Sequence, residues 1–107
     1  KQSKFTSLTS KIVRLRINRD RKNKIESIDV FGTVRGDLKS FTVGAGKGAR
    51  ASKFKTIAGP FTKQADHDWI TRIPKDVLRG SSAWIINIEA IDNQGQVHKA
   101  QADLNFK

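Results

Sequence analysis

The stretch SFTVGAGKGARAS at residues 40–52 contains one arrangement suited to phosphate chemistry, a glycine run closed by Lys47. A phosphate loop needs a strand, a glycine turn whose backbone N–H groups converge on the phosphates, a lysine to reach them and a Ser or Thr for magnesium. Here Gly48 and Ala49 follow Lys47, so the magnesium ligand is missing, and Phe41, five residues before Gly46, stands where the motif has its first glycine. No helical pattern follows to aim a dipole at phosphate. Residues 44–53 therefore read as a basic glycine loop between strands. Such a loop can hold sulfate or phosphate groups through backbone amides and cations without any catalysis.

Acid–base chemistry has two further candidates. Asp66-His67-Asp68 offers carboxylates flanking an imidazole, but neither His98 nor a third ligand is placed nearby by the sequence, and residues capping a strand account for the triplet. Glu89 and Asp92 lie three apart on a strand, so their side chains leave opposite faces and cannot work as a pair. Asp92 is expected instead to accept the backbone N–H groups of its own turn. The chain has no cysteine, which removes disulfides, thiolate metal sites and cysteine nucleophiles together. We expect no catalytic residue, no metal site and no cofactor. Trp69 and Trp84 could stack on sugar rings. Trp84 shares its face with Ile86 and Ile88 and reads as core, which leaves Trp69 as the candidate for carbohydrate stacking.

Charge is the most distinctive feature of the composition. The formal net charge is +11, and residues 1–55 hold 15 Lys and Arg against 4 Asp and Glu, while residues 56–107 hold 6 against 6. A field of this sign draws in polyanions. The residues that would make the contact are Arg14 and Arg16 on one strand face, Arg19, Arg21, Lys22 and Lys24 in the following loop, and Lys47, Arg50, Lys53 and Lys55 around the glycine run. If they merge into one patch, binding is sequence-independent and falls steeply with salt. If they scatter, the charge serves solubility.

The elements that must position these groups are strands. Residues 11–17 (KIVRLRI) alternate with Val13, Leu15 and Ile17 on one face. Residues 18–24 (NRDRKNK) hold no apolar side chain and form a turn. Residues 25–34 resume the alternation through Ile28, Val30 and Val34, with Gly32 at a bulge or close backbone approach. Arg35-Gly36-Asp37 spells an integrin-binding tripeptide, but a tight turn into the strand at 38–43 explains it more simply. Gly59-Pro60 punctuates after 54–57. Residues 68–73 place Trp69, Thr71 and Ile73 together, and 74–80 allow one short helical turn. The clearest strand is 83–92, with Trp84, Ile86, Ile88 and Ala90 on one face, followed by a turn at 93–96. A last strand at 97–106 points Ala100, Ala102, Leu104 and Phe106 one way. No window has helical periodicity, and the longest apolar run, AWII at 83–86, is far below the ~20 residues that cross a bilayer. One domain over residues 1–107 is expected, all-β, an immunoglobulin/fibronectin-III-like sandwich of about seven antiparallel strands. The start at Lys1 rather than Met suggests a domain excised from a larger protein.

Between Ile28 and Phe106 the ordered motifs resemble a fibronectin-III/immunoglobulin-like repeat of bacterial and archaeal cell-surface and secreted proteins. They are Ile28-x-Val30-x-Gly32-Thr33-Val34, Gly44-x-Gly46, Phe54 with Ile57, Trp69 with Ile73-Pro74, Leu78-x-Gly80, and the hairpin from Trp84 to Asp92 and Gly95. The family's glycine pair usually follows an acidic residue and precedes a Pro, whereas here it is surrounded by Lys47, Arg50, Lys53 and Lys55. The resemblance implies a non-catalytic accessory, adhesion or spacer module, extracellular or at the cell surface. Its partners would be other domains of the same chain, with an acidic polysaccharide or nucleic acid reached through the basic half. The alternative is an intracellular nucleic-acid-binding β domain of OB-like type. A barrel would close its first strand onto later ones, whereas a sandwich buries Trp84 between two sheets.

Overall fold

The computed structural model describes residues 8–105, so Phe106 lies outside the described residues. Seven strands follow in order: β1 (Thr9–Arg19), β2 (Ile25–Arg35), β3 (Leu38–Lys47), β4 (Lys55–Phe61), β5 (Ala65–Pro74), β6 (Ala83–Asp92) and β7 (Val97–Asn105). A short 3-10 helix, Lys75–Leu78, joins β5 to β6. Three strands pair in the order β1-β2-β5 and four in the order β4-β3-β6-β7, all antiparallel. Among the described residues β1 has β2 as its one strand partner, so the sheets do not close into a barrel.

The alternation that marks each strand also builds the core. Ile28, Val30 and Val34 of β2, with Ile70 and Ile73 of β5, form the inner face of the three-stranded sheet. Val43, Trp84, Ile86, Ile88 and Leu104 form the inner face of the other, and all of these are buried. The burial of Trp84 between sheets is thus as the sequence predicts. Its indole N–H donates to the Ser81 carbonyl at 3.0 Å, which satisfies the one polar atom of a large apolar ring.

Two β-bulges shift the parity read from sequence. β1 pairs Ile12 with Gly32 and then Arg14 with Phe31, leaving Val13 as the extra residue. Ile12, not Val13, packs with Leu15 and Ile17 against the core, and Val13 is 43% exposed. In β5, Thr71 pairs with Val30 and Trp69 with Phe31, so Ile70 is the extra residue and turns inward. Trp69 therefore leaves the face of Thr71 and Ile73 and stands 53% exposed. One inserted residue on one strand moves everything beyond it to the other face.

The glycine run is also placed differently from its sequence reading. Gly44, Ala45 and Gly46 are buried within β3, paired to Asn87, Ile86 and Ile85 of β6, and the loop between β3 and β4 is shortened to residues 48–54. The glycines serve close approach. A Cβ at Gly44 would sit 2.5 Å from Asn87 Oδ1, and one at Gly46 would sit 2.5 Å from Ala51 Cβ and 3.0 Å from the Lys53 carbonyl. Gly46→Ala is expected to push the 51–54 segment off the sheet and cost about 1–3 kcal/mol, the usual range for overpacking. Urea unfolding measures it, and an unchanged midpoint would mean that the segment does not lie on Gly46. Gly59-Pro60 likewise falls inside β4, at an irregularity between the Val43↔Ala58 and Phe41↔Phe61 pairs, where an edge strand tolerates the missing N–H.

Candidate functional site

The β1–β2 loop carries Arg21, Lys22 and Lys24, and its shape depends on one carboxylate. Asp20 Oδ1 accepts the backbone N–H of Lys22 at 2.8 Å and of Lys24 at 3.0 Å, while the Asp20 N–H donates to the Lys24 carbonyl at 2.8 Å. The Lys24 N–H first, and the neighbouring lysines after it, hold the Asp20 carboxyl below its ordinary range. Asn23 takes a positive φ of 62° to complete the turn, and Arg19 donates to its carbonyl at 3.0 Å. The segment read in sequence as a turn is one, ordered by these bonds, and it presents its cations outward. The signal was present: a lone Asp among basic residues is the residue type that gathers turn N–H groups.

Strand directions bring this loop to the same end of the sandwich as the β3–β4 loop. β2 leaves that end and β3 returns to it, so Lys47 pairs with Trp84 at the start of β6, just beyond the 3-10 helix. That helix, which joins β5 to β6, stands at the same end. Lys75 adds to the field that lowers the Asp20 pKa, and a side chain placed on Gly80 would meet the Lys47 ammonium. Arg50 and Lys53 stay in the loop, and Lys55 opens β4 opposite Ala45. Lys75 and Arg79 thus join the basic end although the second half of the sequence is neutral overall. Arg79 is paired with Asp76 at 3.1 Å.

Arg14 and Arg16 are located elsewhere, on the outer face of the three-stranded sheet, where their guanidinium carbons lie 5.5 and 5.4 Å from the centre of the Phe31 ring. The centre of this face is Asp29, which the sequence reading passed over. Its carboxylate is fully buried by its neighbours. Arg16 donates to Oδ2 at 2.8 Å, Asn18 to Oδ2 at 2.9 Å, Arg72 to Oδ1 at 2.9 Å and the Trp69 indole N–H to Oδ1 at 3.0 Å. The Arg72 bond above all, then those of Asn18, Arg16 and Trp69, holds the Asp29 carboxyl far below the usual carboxylate range against the opposing effect of burial. Asp29 in turn raises the pKa of Arg72.

Neither a family model, nor a curated protein, nor a solved structure matches the chain. The site is read from its own geometry. His67 and His98 lie in different sheets. The His67 ring bonds Asp66 at 2.9 Å, and its backbone N–H donates to Thr33 Oγ1 at 3.0 Å, tying the turned start of β5 to β2. His98 bonds Asp92 at 3.0 Å, and Asp92 accepts the Gln94 and Gln96 N–H groups of its own turn, each at 2.9 Å, as the sequence predicts. His98 foremost, with these N–H groups, lowers the Asp92 pKa. Glu89 instead faces Lys99 at 3.8 Å. Among the described residues no three His, Asp or Glu side chains converge as a metal set, and no helix is long and apolar enough to cross a membrane.

Proposed function

We propose that this domain is a non-catalytic β-sandwich module that contacts polyanions through its basic end. What supports this reading is that strand direction puts two cationic loops, residues 20–24 and 48–54, at the same end of the sandwich. Converging loops on a rigid sandwich are where such modules place recognition. Lys and Arg presented this way recognise charge density rather than sequence, and release counterions on binding.

Fibronectin-III-like architecture is the family reading we adopt. The fourth strand pairs with the third, outside the first sheet, which departs from the four-plus-three order of constant immunoglobulin domains and favours the fibronectin-type half of the resemblance. An accessory, adhesive or spacer role in a surface or secreted microbial protein follows from that reading. The OB-like alternative loses support because the sheets stay open at β1.

The test is an amide-shift titration with a short heparin oligosaccharide and, separately, a DNA duplex. About five anionic contacts would weaken binding on the order of 10²–10³-fold between about 50 and 200 mM salt. Shifts are expected at residues 19–24, 47–55 and 75–79, fading at the higher salt. Absence of clustered shifts at low salt would leave the charge as a solubility device.

A further inference from the structure

The outer face of the four-stranded sheet holds a small polar pocket of about 40 Å³, lined by Thr42, Gly44, Phe54, Thr56, Asn87 and Glu89. Strand pairing explains its position. Trp84, Ile86 and Ile88 of β6 turn to the core, so Asn87 and Glu89 leave the opposite face. Gly44 pairs with Asn87 on one flank and Thr56 on the other, and Thr42 pairs with Glu89. A position without a side chain between two that have one makes a dip, and Gly44 is its floor. The 51–54 segment, seated on Gly46, walls one end of the dip with Phe54. Asn87 is the unusual member. It is 4% exposed, yet among the described residues no protein group hydrogen-bonds its side-chain amide. A buried amide without a protein partner costs stability, whereas an aliphatic side chain would fill the same place without that cost. The space beside it is also kept open, since a Cβ on Gly44 would meet Asn87 Oδ1 at 2.5 Å.

We propose that this pocket takes a hydroxyl group of a neutral sugar. Its volume admits a group of one or two heavy atoms, given that a single water needs about 10–15 Å³. Amides and threonine hydroxyls donate and accept, and a carboxylate accepts, which suits a hydroxyl that does both. One sugar hydroxyl donates to Glu89 while accepting from the Asn87 amide N–H₂, and its neighbour on the ring reaches Thr42 or Thr56. The ring itself stays outside, with its C–H side against Phe54. Charge decides between this ligand and other small groups. Lys99 stands 3.8 Å from Glu89 Oε2 and Lys55 opens the adjoining strand next to Thr56, and both oppose an ammonium or a metal ion. The Glu89 carboxylate opposes an anion. A neutral hydroxyl meets neither objection. The site draws on no cation of the two basic loops, so it stands or falls separately from the reading above.

The experiment follows the Asn87 side-chain amide resonances, assigned by their loss in Asn87→Leu, during titration with maltotriose, cellotriose, mannotriose, a short heparin oligosaccharide and calcium chloride. Expected are saturable shifts of these resonances and of the Thr42 and Thr56 backbone amides with at least one neutral trisaccharide below about 50 mM, a range that admits weak affinities. That binding should change less than about twofold between about 50 and 200 mM salt, because no counterions are released. Heparin is expected to leave the Asn87 amide unmoved, whatever it does at the basic end. Asn87→Leu, close to Asn in size, is expected to weaken the sugar about tenfold or more while its urea midpoint stays equal or rises, since an apolar group replaces a buried amide. Thr56→Val, on an edge strand, is expected to weaken it about two- to tenfold, the loss of one neutral hydrogen bond. No saturable shift with any neutral trisaccharide overturns the proposal, as does unchanged affinity in both variants. A lower midpoint in Asn87→Leu with affinity kept in Thr56→Val assigns the amide to the fold alone. Shifts at Asn87 with calcium assign the pocket to a cation, and shifts with heparin that fade with salt assign it to the basic loops; either overturns the neutral sugar.

Discussion

Ile88→Ala is expected to destabilise the domain by about 2–5 kcal/mol, the range measured when a buried Ile is cut back to Ala. Domains of this size have about 5–15 kcal/mol in total, so this is a large fraction of the margin. Ile88 is wholly buried in the middle of β6, paired with Val43 on one side and Ala100 on the other. Its Cδ1 reaches across the interface to within 3.5 Å of where a side chain on Gly32 would begin. That geometry sets the size of the effect. The residue opposite has no side chain with which to fill a cavity, and the hydrogen-bonded ladders on both flanks keep β6 from moving inward. A cavity that cannot collapse costs most. Urea unfolding should show a lower midpoint with an unchanged slope. Val13→Ala, at an exposed bulge, is the control and should stay within about 0.5 kcal/mol. A loss below about 1 kcal/mol at Ile88 would mean that the sheets do not pack against each other there.

The same two residues show what could be read from the chain and what could not. Ile88 announces itself, because Trp84, Ile86, Ile88 and Ala90 keep a period of two with no interruption. Gly32 was legible as a close approach, since a Cβ there would meet the Lys11 carbonyl at 2.6 Å. Val13 and Trp69 were misread for one shared reason. A bulge is a property of two paired strands, and a single sequence carries no mark of which residue is the extra one. Gly44 and Gly46 misled in another way. Glycine permits both a loop and a crowded strand, and only the arrival of Asn87 and Ala51 decides between them. For the candidate site, the basic residues were visible by count, but that the two basic loops share one end while Arg14 and Arg16 stand on a sheet face depends on strand direction and pairing. Asp29 was the largest omission. Between Ile28 and Val30 it reads as an ordinary carboxylate on a wet face, and its partners Arg16 and Arg72 lie 13 and 43 residues away.

Asp29→Ala is expected to cost about 2–3 kcal/mol at neutral pH, the range for losing hydrogen bonds to a buried charged group. Four donors lose their acceptor at once. The figure stays at the lower end because Arg16 and Arg72, 47% and 60% exposed, can turn their charges to water. Asn at this position keeps the shape but places an amide N–H₂ among donors, so Asp29→Asn should lose nearly as much. The pH dependence has a fixed sign. A carboxyl whose folded pKa lies below its unfolded value stabilises fully above the unfolded value of about 3.9, and that stabilisation is lost as pH falls through the folded one. The gap between wild type and Asp29→Asn should therefore hold constant from about pH 5 to 7 and narrow below about pH 4. A gap that persists unchanged into strong acid would mean that Asp29 contributes shape and not charge.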